Sequence, residues 1–203
     1  YDLVDVTRQC LANESRIVYA RLQYCLGQGQ KEEFLAAKQK FMELLRTQEE
    51  VLAGHEAFGL KRFLEAAAKC GQKYGMEKAF IRQAKTLLTV WGDERCGVLH
   101  DYSSREWSGL TGSLYYERWK IFLDILEKNL QGTKSPSGMG SLTRDWEGEE
   151  EESKMRLPED SFWYRIEKEW AEAAGTGETA LPAQTEAFAR AYREWIGTGK
   201  ESL

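Results

Sequence analysis

The chain has 203 residues and a formal net charge of −5, long enough to bury a real core in one large domain or two small ones. That acidic balance argues against a nucleic-acid surface, which needs clustered Lys and Arg, and no apolar run reaches the roughly 18 residues of a membrane span. Four cysteines (positions 10, 25, 70 and 96) form no Cys-x-x-Cys pair, and His55 and His100 complete no zinc pattern, so neither a metal nor a cofactor is expected.

All three prolines (Pro136, Pro158, Pro182) lie beyond position 130, which leaves nothing to interrupt helices before that point. Good helix formers dominate throughout. In residues 2–26 the apolar positions Leu3, Val6, Cys10, Ile17, Val18, Leu22 and Tyr24 broadly follow a helical period, with Asp2 as amino-terminal cap and Gly27 and Gly29 at the end. Cys10 and Cys25 fall on this helix roughly 22 Å apart at 1.5 Å per residue, so they cannot pair with each other. A second helix is predicted over 31–53, with Phe34, Leu35, Phe41, Leu44, Leu45 and Leu52 inward and Gly54 as its stop. A third covers 59–74 and a fourth 76–91, separated by Gly71 and Gly75.

Ser103 and Glu106 have the spacing of a capping box, which predicts a fifth helix starting at Ser104. Along it Glu117, Lys120, Asp124 and Glu127 form one solvated stripe. Trp107, Leu110, Leu114, Tyr115, Trp119, Phe122, Leu126 and Leu130 make a broad apolar side, so this helix should be central. Gly109 and Gly112 weaken a helix by about 1 kcal/mol each relative to Ala, and close approach of another backbone would offset that. Arg8 and Arg118 suit buried or interfacial ion pairs, and Tyr115, Tyr116 and Trp119 suit core or a domain interface.

Residues 91–102 form a long connection rich in functional groups, as ligand-contacting loops are. Positions 131–144 are rich in Gly, Ser and Thr, and Glu147 to Glu152 form an acidic run that reads as solvated. A short helix is expected around 142–155, another after Pro158 and a last one after Pro182. The expected fold is all-α, a bundle of about seven or eight helices. It reads as a single domain over 1–203: a core over 1–130, a surface connection over 131–157 and terminal helices over 158–203.

Three segments resemble the carboxy-terminal domain of the α-N-acetylglucosaminidase family. The first is Tyr1-Asp2-Leu3-Val4-Asp5-Val6-Thr7-Arg8-Gln9. The second is Leu88-Thr89-Val90-Trp91-Gly92 followed by Leu99-His100-Asp101-Tyr102. The third is Trp107-Ser108-Gly109-Leu110, then Tyr115-Tyr116-Glu117-Arg118-Trp119. One departure stands out: Ile81-Arg82-Gln83-Ala84-Lys85 replaces the family's Glu-x-Asn-x-Arg.

The resemblance implies a (β/α)8-type catalytic barrel upstream of Tyr1 and a start in mid-protein. It implies hydrolysis of terminal α-linked N-acetylglucosamine from glycans with retention, which needs two carboxylates about 5–5.5 Å apart. Both belong to the barrel, so no catalytic residue is expected in this chain. The helical domain would pack on the barrel, and Trp91, Val98 and Tyr102 would line the sugar pocket. The whole protein would be secreted, periplasmic or lysosomal. Trp91 can serve as a platform for a sugar face or fill core at a helix end, and Tyr102 has the same two readings. His100 and Asp101, adjacent and without a third partner, make no catalytic pair. The rival to a glycosidase domain is a stand-alone helical module that binds a protein through its aromatic surface.

Overall fold

The computed structural model describes residues 1–90, 95, 101, 103, 105–130 and 162–173. They fall into two compact units, one built from 1–62 and 106–130, the other from 63–105 and 162–173. Six α-helices are present among the described residues: α1 (Asp2–Gln28), α2 (Lys31–Ala53), α3 (Leu60–Gln72), α4 (Glu77–Thr89), α5 (Tyr116–Leu130) and α6 (Phe162–Glu172). These residues form no strand, so the fold is all-α, with fewer helices than the seven or eight expected. The helices expected around 142–155 and after Pro182, and the acidic run from Glu147 to Glu152, lie outside the described residues.

In the first unit α1 and α2 form a hairpin. The turn closes with Gly29 N–H donating to Leu26 C=O and Gln30 N–H to Cys25 C=O, which satisfies two orphan carbonyls at the helix end. Gly27 does not stop α1 but lies within it. No side chain caps the amino end; Asp2 sits in the first turn, where its charge suits the helix dipole.

The core of this unit is assembled from three helices: Val18, Leu22 and Cys25 of α1, Phe34, Phe41 and Leu44 of α2, and Tyr116 and Leu123 of α5. Trp119 is the aromatic hub, its ring 4.7 Å from Phe41 and 5.4 Å from Tyr19 between centroids. Such ring pairs contribute about 0.5–1.5 kcal/mol beyond burial of area.

Not all of the α1 period turns inward. Val4, Leu11, Val18 and Cys25 recur every seven residues and carry the packed side, whereas Leu3, Cys10, Ile17 and Tyr24, one residue earlier, are exposed. One residue is about 100° around a helix, so α1 carries two adjacent seams and α2 and α5 fill one of them.

The stripe on α5 is not the solvated face expected. Glu117 is buried, and Lys38 of α2 reaches both Asp124 and Glu127, the latter at 2.7 Å, while Lys120 bonds Asp124 at 2.9 Å. Buried Ile121, Leu123 and Ile125 lie among these charges and the apolar side. The helix is thus enclosed round much of its girth, and a charge at helical spacing reports only that a residue is polar, not that it meets water.

Candidate functional site

In the second unit the end of α4 frames the loop that sequence reasoning singled out. A helix leaves its last carbonyls without intrahelical partners. Here the chain beyond the loop supplies them: Asp101 N–H donates to Thr89 C=O at 2.8 Å, and the Ser103 hydroxyl to Leu88 C=O at 2.9 Å. Residues 90 and 101 are therefore held beside one helix end. Asp101 takes a positive φ of 54°, a conformation that Asp tolerates better than most residues. Thr89 and Val90 at the base are buried.

This base is anchored by a buried cation. Lys85, 3% exposed, donates from Nζ to Trp170 C=O at 3.2 Å and Ala173 C=O at 2.8 Å. An ammonium at the carboxy end of α6 meets both the orphan carbonyls and the negative end of the helix dipole. It also lies 5.2 Å from the Trp170 ring centroid, a cation–π distance. Burial pushes its pKa down to about 8. Arg82 and Glu172, 3.6 Å apart, add a more exposed tie between the same helices.

Trp91, Val98 and Tyr102, the pocket residues expected from sequence, lie outside the described residues, as does His100. Asp101 is half-buried, and its backbone N–H serves the end of α4. Among the described residues no cluster of three or more His, Cys, Asp or Glu could hold a metal, and no helix is long and apolar enough to cross a membrane.

The segment Trp107-Ser108-Gly109-Leu110 is built differently from expectation. No capping box forms and no helix starts at Ser104: Ser103 is committed to Leu88, and the Glu106 carboxylate accepts from Arg8 at 2.8 Å and from Gln48 at 3.3 Å. Residues 105–107 are irregular, Ser108 bridges Gly59, and a π turn over Thr111–Tyr115 leads into α5. The cap comes from α2. Glu49 accepts from Gly109 N–H and Gly112 N–H, each at 2.7 Å, holding donors that would otherwise be unpaired.

Both glycines now have a reason. Gly109 has φ 87°, and a Cβ on Gly112 would lie 2.6 Å from Glu49 Cγ, so the close approach is to a side chain and not to another backbone. Arg8 also bonds Asp5 at 2.7 Å and lies over Phe58, while Arg118 lies over the Tyr115 ring. Tyr116 is core, its hydroxyl accepting from Arg46 at 2.7 Å. The roles of Lys85 and Glu49 escaped sequence reasoning. The one available signal was a lysine amid Ala84, Thr86 and Leu88, a charge set into an otherwise uncharged helix end.

Comparison with known proteins agrees with this all-helical arrangement. Residues 1–190 match the family described as the α-N-acetylglucosaminidase (NAGLU) C-terminal domain. Human α-N-acetylglucosaminidase is 32% identical over 128 residues, 62% of this chain and 17% of the human protein. CpGH89 from Clostridium perfringens, solved in complex with its substrate GlcNAc-alpha-1,4-galactose, superposes with a TM-score of 0.68 at 27% identity, covering 95% of this chain and 20% of that one. A family 89 glycoside hydrolase from the same organism, in complex with PUGNAc, gives a TM-score of 0.68 at 26% identity over 100% of this chain and 22% of that one. The chain thus spans about a fifth of the length of these relatives. With nearly all of its length matched, the chain belongs to the α-N-acetylglucosaminidase C-terminal domain family.

Proposed function

We propose that this chain is the carboxy-terminal helical domain of a glycoside hydrolase that releases terminal α-linked N-acetylglucosamine with retention, and that residues 91–102 form one wall of the sugar pocket. The observation that carries this reading is the family match over residues 1–190, joined to a likeness of 95% of the chain to one fifth of a glycosidase solved with its GlcNAc-containing substrate. The two carboxylates that retention requires belong to the catalytic domain of the full-length protein, on which this domain packs. The frame around residues 91–102 supports the assignment: Asp101 and Ser103 are hydrogen-bonded to the end of α4, a rigid base of the kind on which ligand-contacting side chains are carried.

In this reading Trp91 offers a flat apolar face to the sugar ring, while Val98 and Tyr102 complete the wall. The full-length enzyme carrying Trp91→Ala should lose about tenfold or more in kcat/KM on an aryl α-N-acetylglucosaminide, the equivalent of about 1.4 kcal/mol, with an unchanged melting temperature. Unchanged kinetics would remove Trp91 from the pocket. The 203-residue chain alone should cleave nothing, and measurable turnover by it would overturn the division of labour.

A further inference from the structure

We infer that the exposed seam of α1 is the surface on which this domain docks against the rest of its own full-length protein, through helix-on-helix packing; this rests on the functional reading above. Leu3, Cys10, Ile17 and Tyr24 repeat every seven residues, and Val6 and Ala20 follow Leu3 and Ile17 by three. Leu3 is 80% exposed and Ile17 67%, and Val6, Cys10, Ala20 and Tyr24 are exposed too. A heptad pattern sustained along a helix of 27 residues, about 40 Å, is the pattern of a packing seam. Scattered surface leucines would need no explanation, but an apolar row broken at its spacing only by Asn13 does. Beside Ile17 the row opens into an apolar groove between α1 and α2, floored by Val18, Ala36 and Ala37 and rimmed by Arg21, Glu33 and Lys40. Small floor residues admit the side chains of a third helix.

Covalent linkage favours one occupant over the others. A second copy of α1 set antiparallel, centred between Asn13 and Ile17, brings Glu14 beside its own copy on one flank and Arg16 beside its own copy on the other. A parallel pair sets Arg16 against Arg21 of the other helix. Both of these pairings oppose like charges, whereas an antiparallel register centred between Ile17 and Ala20 sets Glu14 beside Arg21, so a second copy is separated from the docked domain by its dependence on protein concentration. A lipid surface is disfavoured because the flanks mix Asp2 and Glu14 with Arg16 and Arg21, where an anionic membrane would select basic residues alone. The occupant assigned here is the part of the protein that makes up about four-fifths of the relatives. Joined to this domain in one chain, that part reaches the seam at high effective concentration.

Cys10 lies in the seam and reports its state without substitution, and Cys70, exposed on α3, is the internal control. The full-length protein is alkylated with iodoacetamide under native conditions, and both sites are quantified by mass spectrometry. Cys10 should react at least about tenfold more slowly than Cys70, at all protein concentrations, and Ile17→Glu should restore its reactivity. Ile17 is exposed within the domain, so this substitution leaves the domain fold intact. Cys10 as reactive as Cys70 in the full-length protein would overturn the inference. Protection that vanishes on dilution would also overturn it, in favour of a second copy. The glycosidase reading fails separately: a protein with Cys10 protected and no activity on α-N-acetylglucosaminides keeps the docking surface and loses the proposed reaction.

Discussion

Glu49 shows how much a single side chain can decide. Its carboxylate satisfies two backbone donors where the π turn precedes α5. Glu49→Ala should cost about 1.5–3 kcal/mol in urea unfolding, the range for hydrogen bonds to a charged group. Gly112→Ala should cost about 1–3 kcal/mol, because the new methyl would overlap the pinned Glu49 side chain. Combining the two should fall short of the sum by more than about 0.5 kcal/mol, since removing the Glu49 side chain also removes the overlap. Full additivity would show that the glycine is needed for some other reason.

Lys85 makes a different prediction, in pH. Its pKa falls from 10.5 in the free side chain to about 8 in the fold, so between those values the unfolded chain holds the proton that the folded chain has released. Unfolding free energy then gains a positive slope with pH from Lys85 over that window. Below pH 8 both states are protonated and the burial cost stands in full. Comparing wild type with Lys85→Met by chemical denaturation from pH 7 to 10.5 isolates this slope, which should be present only in the wild type. Parallel curves would place the Lys85 ammonium in a better-solvated setting than its burial shows.

At the scale of elements, the joint between α2 and α5 rests on Lys38 as well as on apolar packing. Burial raises the Asp124 pKa, but hydrogen bonds from Lys38 and Lys120 outweigh it and hold the carboxyl below its usual value. This stabilisation is complete above the unfolded pKa and is lost as pH falls through the lower folded one. Lys38→Ala removes the leading opposing contact, so the Asp124 pKa should rise and acid-induced loosening should begin at higher pH. Carboxyl-carbon NMR titration of Asp124 reads this directly. An unmoved pKa would assign the depression to Lys120.

The same joint explains which elements were legible beforehand. The bounds of α2 agree with expectation at both ends, because a clean apolar period over 31–53 is followed directly by a glycine. The start of α5 was misplaced because Ser103 and Glu106 have the right spacing for a local cap, yet each is taken by a partner distant in sequence. Local capping is one competitor among several for a polar side chain, and here long-range partners won.

For the whole molecule, the two seams of α1 are the instructive case. Every apolar residue of that helix was visible in the sequence, and a helical period could be counted through them. Periodicity does not say which of two adjacent stripes meets the rest of the chain. That depended on how α2 and α5 arrange their own bulky residues, Phe34, Phe41 and Trp119 foremost. The seam left outside is as regular as the seam within, and a helix with two such seams is made for neighbours on two sides.

By itself the sequence determined the helical class, the family and the first four helices nearly to their ends, because these depend on composition, on local period and on short motifs read in order. Only the tertiary structure decided that Lys85 caps α6, that Glu49 rather than Ser103 serves the approach to α5, and that Lys38 gathers two carboxylates of α5. Each of these joins residues dozens of positions apart through a polar contact. Such contacts leave no periodic trace, since a side chain's chemistry states what it can bond and not which partner the fold will bring to it.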